Sequence, residues 1–278
     1  MPDGVLQWPN RCVPMRNPIS HERSGDDVGH TSLRFKRITF GSGGGPEPLI
    51  EIDADEVHVW GFSLDVDVAE LTHAAHYLSA DEQERVNRLV SARHRQQLMA
   101  AHAVLRVVLG RYCGRRPQEL IIQRASAGKP FLADSIAIRF NLTHSHGRAL
   151  IAVARKREVG IDLEKIRPEV DCVSLANRFL SGRDQAFIEG GDPERRHERF
   201  LQVWVARESV FKVEGKGIAF PLHHDHVELS SDGKEGHLIR GDGGSEGTNI
   251  PIRFLPLESG WVGAVAAEGT NWMVAYPV

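Results

Sequence analysis

Two acidic side chains lie two positions apart in Val159-Gly160-Ile161-Asp162-Leu163-Glu164. On a strand, whose side chains alternate between faces, Val159, Ile161 and Leu163 point one way and Gly160, Asp162 and Glu164 the other. Carboxylates sharing a face repel and need a counter-charge, and Gly160 leaves that face bare enough for a ligand to come close. The chemistry this fits is half of a divalent-cation site for phosphate groups; the plainer alternative is a strand with a polar, solvent-facing side. A third carboxylate stands on a helix. Phe200, Trp204 and Phe211, with Leu201 and Val203 beside them, make an apolar stripe at helical spacing, and Glu208 falls on it. A carboxylate turned to a core needs a partner or a task. Lys212, four residues on, offers an ordinary helix-surface ion pair.

Other chemistry-bearing residues carry weaker signals. In Gly128-Lys129-Pro130 the glycine permits an unusual backbone angle and the proline extends the residue before it, so Lys129 is expected on a turn with its side chain projected. Thr143-His144-Ser145-His146-Gly147 lies between two alternating stretches and reads as a hairpin end. Ser145 beside two histidines does not make a triad, because triads assemble in space; hydroxyls and imidazoles there equally suit a phosphate oxygen. His223-His224-Asp225-His226 invites a metal reading, but neighbouring histidines on a strand face opposite ways, and a polar loop is expected.

The elements that must position these groups follow from pattern and punctuation. A strand is expected at residues 57–62. Ser79 and Glu82 form a capping-box signature that opens an arginine-rich helical stretch running, with breaks, to Tyr112. Further strands are expected at residues 120–122, 136–142 and 149–153, and short helices at 171–180 and 184–188. Asp192-Pro193 opens the helix that carries Glu208, and Gly215-Lys216-Gly217 closes it. Strands near residues 227–229, 237–239, 252–254, 261–266 and 272–275, joined by Gly- and Ser-rich turns, read as an antiparallel sheet. Residues 1–50 offer little to offset the entropy of ordering them, and a mobile extension is expected, with His21 and His30 incidental.

The chain has 278 residues, 41% hydrophobic and 26% charged, as in an ordinary globular protein. A formal net charge of −3 gives no reason to expect nucleic acid. No apolar run is long enough to span a bilayer and the N-terminus does not read as a signal peptide, so no membrane and a cytoplasmic location are expected. Cys12, Cys113 and Cys172 have no metal-ligand spacing and read as reduced thiols.

Taken in order, these motifs resemble the Sfp-type 4′-phosphopantetheinyl transferase family. Its Gly-Ile-Asp-x-Glu strand is Gly160-Ile161-Asp162-Leu163-Glu164, and its Trp-x-x-Lys-Glu-Ser/Ala-x-x-Lys helix is Trp204-Val205-Ala206-Arg207-Glu208-Ser209-Val210-Phe211-Lys212. The Gly128-Lys129-Pro130 turn, the Phe140-Asn141-Leu142-Thr143-His144-Ser145 strand end and the Glu214-Gly215-Lys216-Gly217 tail also match, over roughly residues 57–276. Two positions depart from the pattern: Arg207 replaces the lysine before the motif glutamate, and Gln97 aligns with the arginine used on the coenzyme A 3′-phosphate.

The resemblance implies Mg²⁺-dependent transfer of the 4′-phosphopantetheine arm of coenzyme A to a serine of an apo acyl or peptidyl carrier protein, with release of 3′,5′-ADP. Asp162, Glu164 and Glu208 would hold the metal; Glu208 and Lys212 would be catalytic. Lys129, Thr143, His144 and Ser145 would bind coenzyme A, with Arg95 or Arg93 standing in for the arginine that Gln97 replaces. Asp184 matches a further acidic family position. The implied fold is α+β, two pseudo-symmetric halves, each a small antiparallel sheet packed on a long helix, with the active site in the cleft between them. The halves would be residues 51–155 and 156–278, after the extension at 1–50, and the enzyme would be a monomer. The departures at Arg207 and Gln97 motivate a second reading, a catalytically impaired coenzyme A or carrier-binding module; a metal-dependent phosphohydrolase is the third. Fatty acid, polyketide and nonribosomal peptide carriers, and one of lysine metabolism, stay open as acceptors.

Overall fold

The computed structural model describes residues 33–40, 49–135, 137–215, 224–241 and 250–277. Along the chain these form β1 (Glu56–Ser63), α1 (Val68–Ala75), α2 (Ala80–Asn87), α3 (Ala92–Cys113), β2 (Ile122–Arg124), β3 (Pro130–Leu132), β4 (Ile138–Ser145), β5 (Arg148–Arg155) and β6 (Val159–Lys165). There follow α4 (Cys172–Phe179), α5 (Gly182–Glu189), α6 (Arg196–Glu214), β7 (His226–Leu229), β8 (Glu235–Ile239), β9 (Pro251–Phe254), β10 (Trp261–Ala267) and β11 (Met273–Ala275). The fold is α+β. One sheet runs β11-β1-β5-β4, a second runs β6-β10-β9-β8-β7, and β2 and β3 form a separate ribbon.

Local chemistry explains the boundaries. Both halves of the Ser79/Glu82 capping box form at the start of α2. The basic stretch then breaks: Ser91 accepts a hydrogen bond from His94 N and starts α3 afresh, which ends at Gly114 with φ 61°. Asp192 and Pro193 open a single 3₁₀ turn, and α6 itself starts at Arg196. A 3₁₀ turn at Pro117–Glu119 displaces the strand expected at residues 120–122 to 122–124. His146 and Gly147 form the two-residue β4–β5 turn with φ 44° and 80°, the backbone that a tight hairpin requires.

Helix α3 covers the first sheet through a core that includes Trp60, Val104, Leu109, Phe140 and Ile151. Helix α6 covers the second through Phe200, Trp204, Phe211, Ile252 and Ala264. A third apolar cluster, with Val59, Leu150 and Ala152 on one side and Ile161, Leu163 and Val265 on the other, fills the seam between the sheets. The stripe expected on α6 widens to nearly its whole circumference, because the helix is packed between the second sheet and the helices α4 and α5.

Two expectations change. β11 does not join the C-terminal sheet; it pairs parallel with β1 and so makes the first sheet mixed. Within the stretch expected to be mobile, residues 33–40 are packed: Leu33, Ile38 and Phe40 are buried, Leu33 N donates to Pro256 O, and Lys36 N donates to Gly61 O. Residues 1–32 and 41–48 of that stretch lie outside the described residues, as do Ile136, Lys216, Gly217 and His223. Among the described residues no helix is long and apolar enough to cross a membrane.

Candidate active site

Strand β6 is an edge strand, paired with β10 on one side only. Its other edge faces β4, the edge of the first sheet, and α6 lies over β6 and β10, with the Lys212 side chain reaching across to β4. Gly160 permits that approach. A Cβ there would fall 2.1 Å from the Ser209 carbonyl oxygen and 2.7 Å from Val213 N, so only glycine lets the helix backbone settle on the strand. The bare face expected to admit a ligand at Gly160 is therefore filled by α6, and that contact carries Glu208 and Lys212 to the carboxylates of β6.

Asp162 is buried. Its Oδ1 accepts from Lys212 Nζ at 2.6 Å and from Thr143 Oγ1 at 3.1 Å. Its Oδ2 is also buried and has no hydrogen-bond partner. Lys212 Nζ further donates to Thr143 Oγ1 at 3.3 Å and to Ile161 O at 3.0 Å. Glu164 accepts from Ser145 Oγ at 2.9 Å. Burial, and then the charge of Asp162, raise the proton affinities of both Glu164 and Glu208. Burial lowers that of Lys212, but Asp162 and Glu208 outweigh it and hold the ammonium charged.

His144 points to the other face of β4, toward α3. Burial, then His102, Lys212 and His94, depress its pKa to about 4, so it is a neutral imidazole. His146 Nδ1 lies 3.0 Å from Ser145 Oγ. Thr143, Ser145, Asp162, Glu164, Glu208 and Lys212 are thus brought together.

Lys129 and Arg95 are not part of that cluster. The turn holding Lys129 forms as expected, with Gly128 at φ 91°, but the ammonium is not projected. It donates to Glu158 Oε2 at 2.6 Å, Val159 O at 3.2 Å and Val213 O at 3.0 Å, about 10 Å along β6 from Asp162. Arg95 Nη1 binds Leu89 O at 2.7 Å and Val90 O at 2.8 Å, bracing the loop before α3. Gln97 lies against the β4–β5 turn: a Cβ on Gly147 would stand 3.3 Å from its Nε2. Arg93 is exposed.

Arg207, adjacent to Glu208 in sequence, points away from the carboxylates. Its Nη2 bonds Asp184 Oδ2 and the Asp225 carbonyl, and both Arg207 and Asp184 are 1% exposed. Asp184 also accepts from Ser181 Oγ at 2.9 Å and from Val227 N at 2.9 Å. The two positions that stood apart in the sequence form one buried ion pair tying α5, α6 and β7 together.

Residues 158–257 match the model of the 4′-phosphopantetheinyl transferase superfamily, and residues 66–157 match that of the 4′-phosphopantetheinyl transferase N-terminal region. The chain is 38% identical over 175 residues to the 4′-phosphopantetheinyl transferase HetI of Nostoc sp. (strain PCC 7120 / SAG 25.82 / UTEX 2576), covering 62% of this chain and 74% of that relative. It is 27% identical over 158 residues to the 4′-phosphopantetheinyl transferase Sfp of Bacillus subtilis (strain 168), covering 57% of this chain and 69% of that relative. The chain belongs to the 4′-phosphopantetheinyl transferase family. The two matched regions of the transferase meet between Arg157 and Glu158, at the start of β6.

The donor set of the transferase suits a hard divalent cation: three carboxylates, one with an unpartnered buried oxygen and two whose proton affinity is raised by burial and then by the charge of Asp162. Among the described residues no three such donors are already drawn together at coordinating distance. Lys212 supplies the positive charge that Asp162 meets. Asn141 had no role assigned from the sequence. Its signal is period two, which puts it on the face of β4 that carries Thr143 and Ser145.

Proposed function

We propose that this transferase moves the 4′-phosphopantetheine arm of coenzyme A, its co-substrate, to a serine of an apo acyl or peptidyl carrier protein, with Mg²⁺ as the metal and 3′,5′-ADP as the leaving group. The convergence of Asp162, Glu164, Glu208 and Lys212 at the junction of two sheets, with one orphaned carboxylate oxygen, supports this reading. Asp162, Glu164 and Glu208 would hold the metal. When bound, it would offset the pyrophosphate charge and polarise the phosphoryl oxygens.

The carrier serine Oγ attacks the β-phosphorus of coenzyme A, and the bond from that phosphorus to the 3′,5′-ADP oxygen breaks with its electron pair leaving on the nucleotide. Glu208, directly or through water, takes the serine proton, a task that its raised proton affinity suits. Lys212 stabilises charge growing on the bridging and leaving oxygens. Neutral His144, on the α3 side of β4, would meet the nucleotide end, while Thr143 and Ser145 stay at the carboxylates on the opposite face. Lys129 and Arg95 would reach coenzyme A by exchanging backbone carbonyls for phosphate oxygens. Exposed Arg88, at the end of α2, and Arg93, on α3, complement an acidic carrier.

The test is incubation with coenzyme A, Mg²⁺ and a panel of apo carriers, read by mass spectrometry. A gain of one phosphopantetheine on a carrier serine is expected. Coenzyme A binding without any gain across the panel would instead favour the impaired module, and nucleotide release with no carrier present would favour a phosphohydrolase.

A further inference from the structure

β4 and β6 belong to different sheets, and side chains bridge them at alternate residues of β4. Arg139 Nε meets Glu158 Oε1 at 2.6 Å, Asn141 Oδ1 accepts from Ile161 N at 3.0 Å, Thr143 Oγ1 donates to Asp162 Oδ1 at 3.1 Å and Ser145 Oγ to Glu164 Oε2 at 2.9 Å. Three of these rungs end on side chains. The Asn141 rung ends on backbone, at the residue immediately before Asp162, and Asn141 is 5% exposed. Its amide oxygen stands where the carbonyl of a neighbouring strand would stand and satisfies an edge N–H of β6.

We propose that Asn141 is a positioning residue for the transfer reaction, acting through the Ile161 amide to fix Asp162 and Glu164 opposite Thr143 and Ser145. The inference rests on the metal-site reading above. A strand has a side-chain period of two, so a slip of β6 by one residue would turn Ile161 and Leu163 to the place of the carboxylates. The seam core restrains β6 through Val159, Ile161 and Leu163, yet packing of apolar side chains is non-directional. The ladder to β10 fixes which residues of β6 share a face; the hydrogen bond from the Ile161 amide to Asn141 adds a directional restraint on how that edge stands against β4.

The experiment compares Asn141→Leu, which keeps the shape and loses the acceptor, with Asn141→Asp, which keeps an acceptor oxygen. Three quantities are read: the Mg²⁺ concentration for half-maximal loading, the exchange rate of the Ile161 amide without metal or coenzyme A, and the thermal midpoint. Asn141→Leu is expected to raise the Mg²⁺ requirement by about 10- to 100-fold, the usual cost of losing an outer partner of a metal ligand. It is also expected to speed Ile161 exchange, with kcat at saturating Mg²⁺ within a few-fold of the parent. Asn141→Asp is expected to restore Ile161 protection. An unchanged Mg²⁺ requirement or unchanged Ile161 exchange in Asn141→Leu overturns the inference, as does a loss of loading in both variants that merely follows the unfolded fraction. A parent enzyme with no divalent-cation requirement overturns the metal reading instead, and the Ile161 exchange distinguishes the two failures.

Discussion

Lys212 Nζ lies 2.6 Å from Asp162 Oδ1, although 50 residues of chain separate the two. The same ammonium reaches Ile161 O and Thr143 Oγ1, so one lysine on α6 ties together a carboxylate, the free edge of β6 and the facing strand β4. Lys129 does the equivalent at the other end, binding Val159 O and the Val213 carbonyl near the end of α6. The edge of β6 is thus held by side chains where a further strand would otherwise pair.

Asp162→Asn is expected to lower carrier loading by at least about 100-fold, since losing a carboxylate contact to a catalytic cation removes several kcal/mol of transition-state stabilisation. Loading rates at saturating Mg²⁺, with circular dichroism as the check on folding, measure this. A rate within threefold of the parent would remove Asp162 from the reaction.

Gly160→Ala places a Cβ within 2.1 Å of the Ser209 carbonyl. Backbone must move, and a loss of about 1–3 kcal/mol in unfolding free energy is expected, the usual cost of overpacking. Activity per folded molecule should fall as well, because Glu208 and Lys212 ride on the displaced helix. Urea unfolding together with loading at a temperature where the variant stays folded separates the two effects.

Arg207→Met leaves Asp184 buried and unpaired, and breaking such a pair costs about 3–5 kcal/mol. The side chain points away from the carboxylates, so loading per folded molecule is expected to stay near that of the parent. A variant that keeps its stability and loses its rate would show that Arg207 works in the reaction after all.

Stability is expected to fall with acid in two steps. His144 is held neutral down to about pH 4, whereas the unfolded residue protonates near 6.5. The unfolded state therefore binds the extra proton first, and the contribution present above 6.5 is lost between 6.5 and about 4. Burial opposes the ionised form of Glu82, but hydrogen bonds from His102 and Ser79 and the charge of Arg106 prevail and hold its pKa at about 2. Its stabilisation is present above about 4.5 and is lost as pH falls toward 2. Melting temperatures across pH 2–8 should show both windows, with the upper one flattened in His144→Leu.

The sequence by itself determined the elements and the kinds of chemistry. Alternation put Asp162 and Glu164 on one face of a strand, the capping box at Ser79 and Glu82 located a helix start, and helical spacing set Glu208 and Lys212 one turn apart. These are nearest-neighbour properties, governed by backbone period and by side chains a few residues away. Only the tertiary structure decided which charges meet. Lys212 serves Asp162, Arg207 turns to Asp184, Lys129 spends its donors on carbonyls, and Gly160 admits a helix. The placement of β11 beside β1, and the packing of residues 33–40 across the seam, were also hidden. Each of these contacts joins positions far apart in the chain, so what fixes them is the shape of the shared core and the need to satisfy an exposed sheet edge, and neither is written in any local stretch of residues.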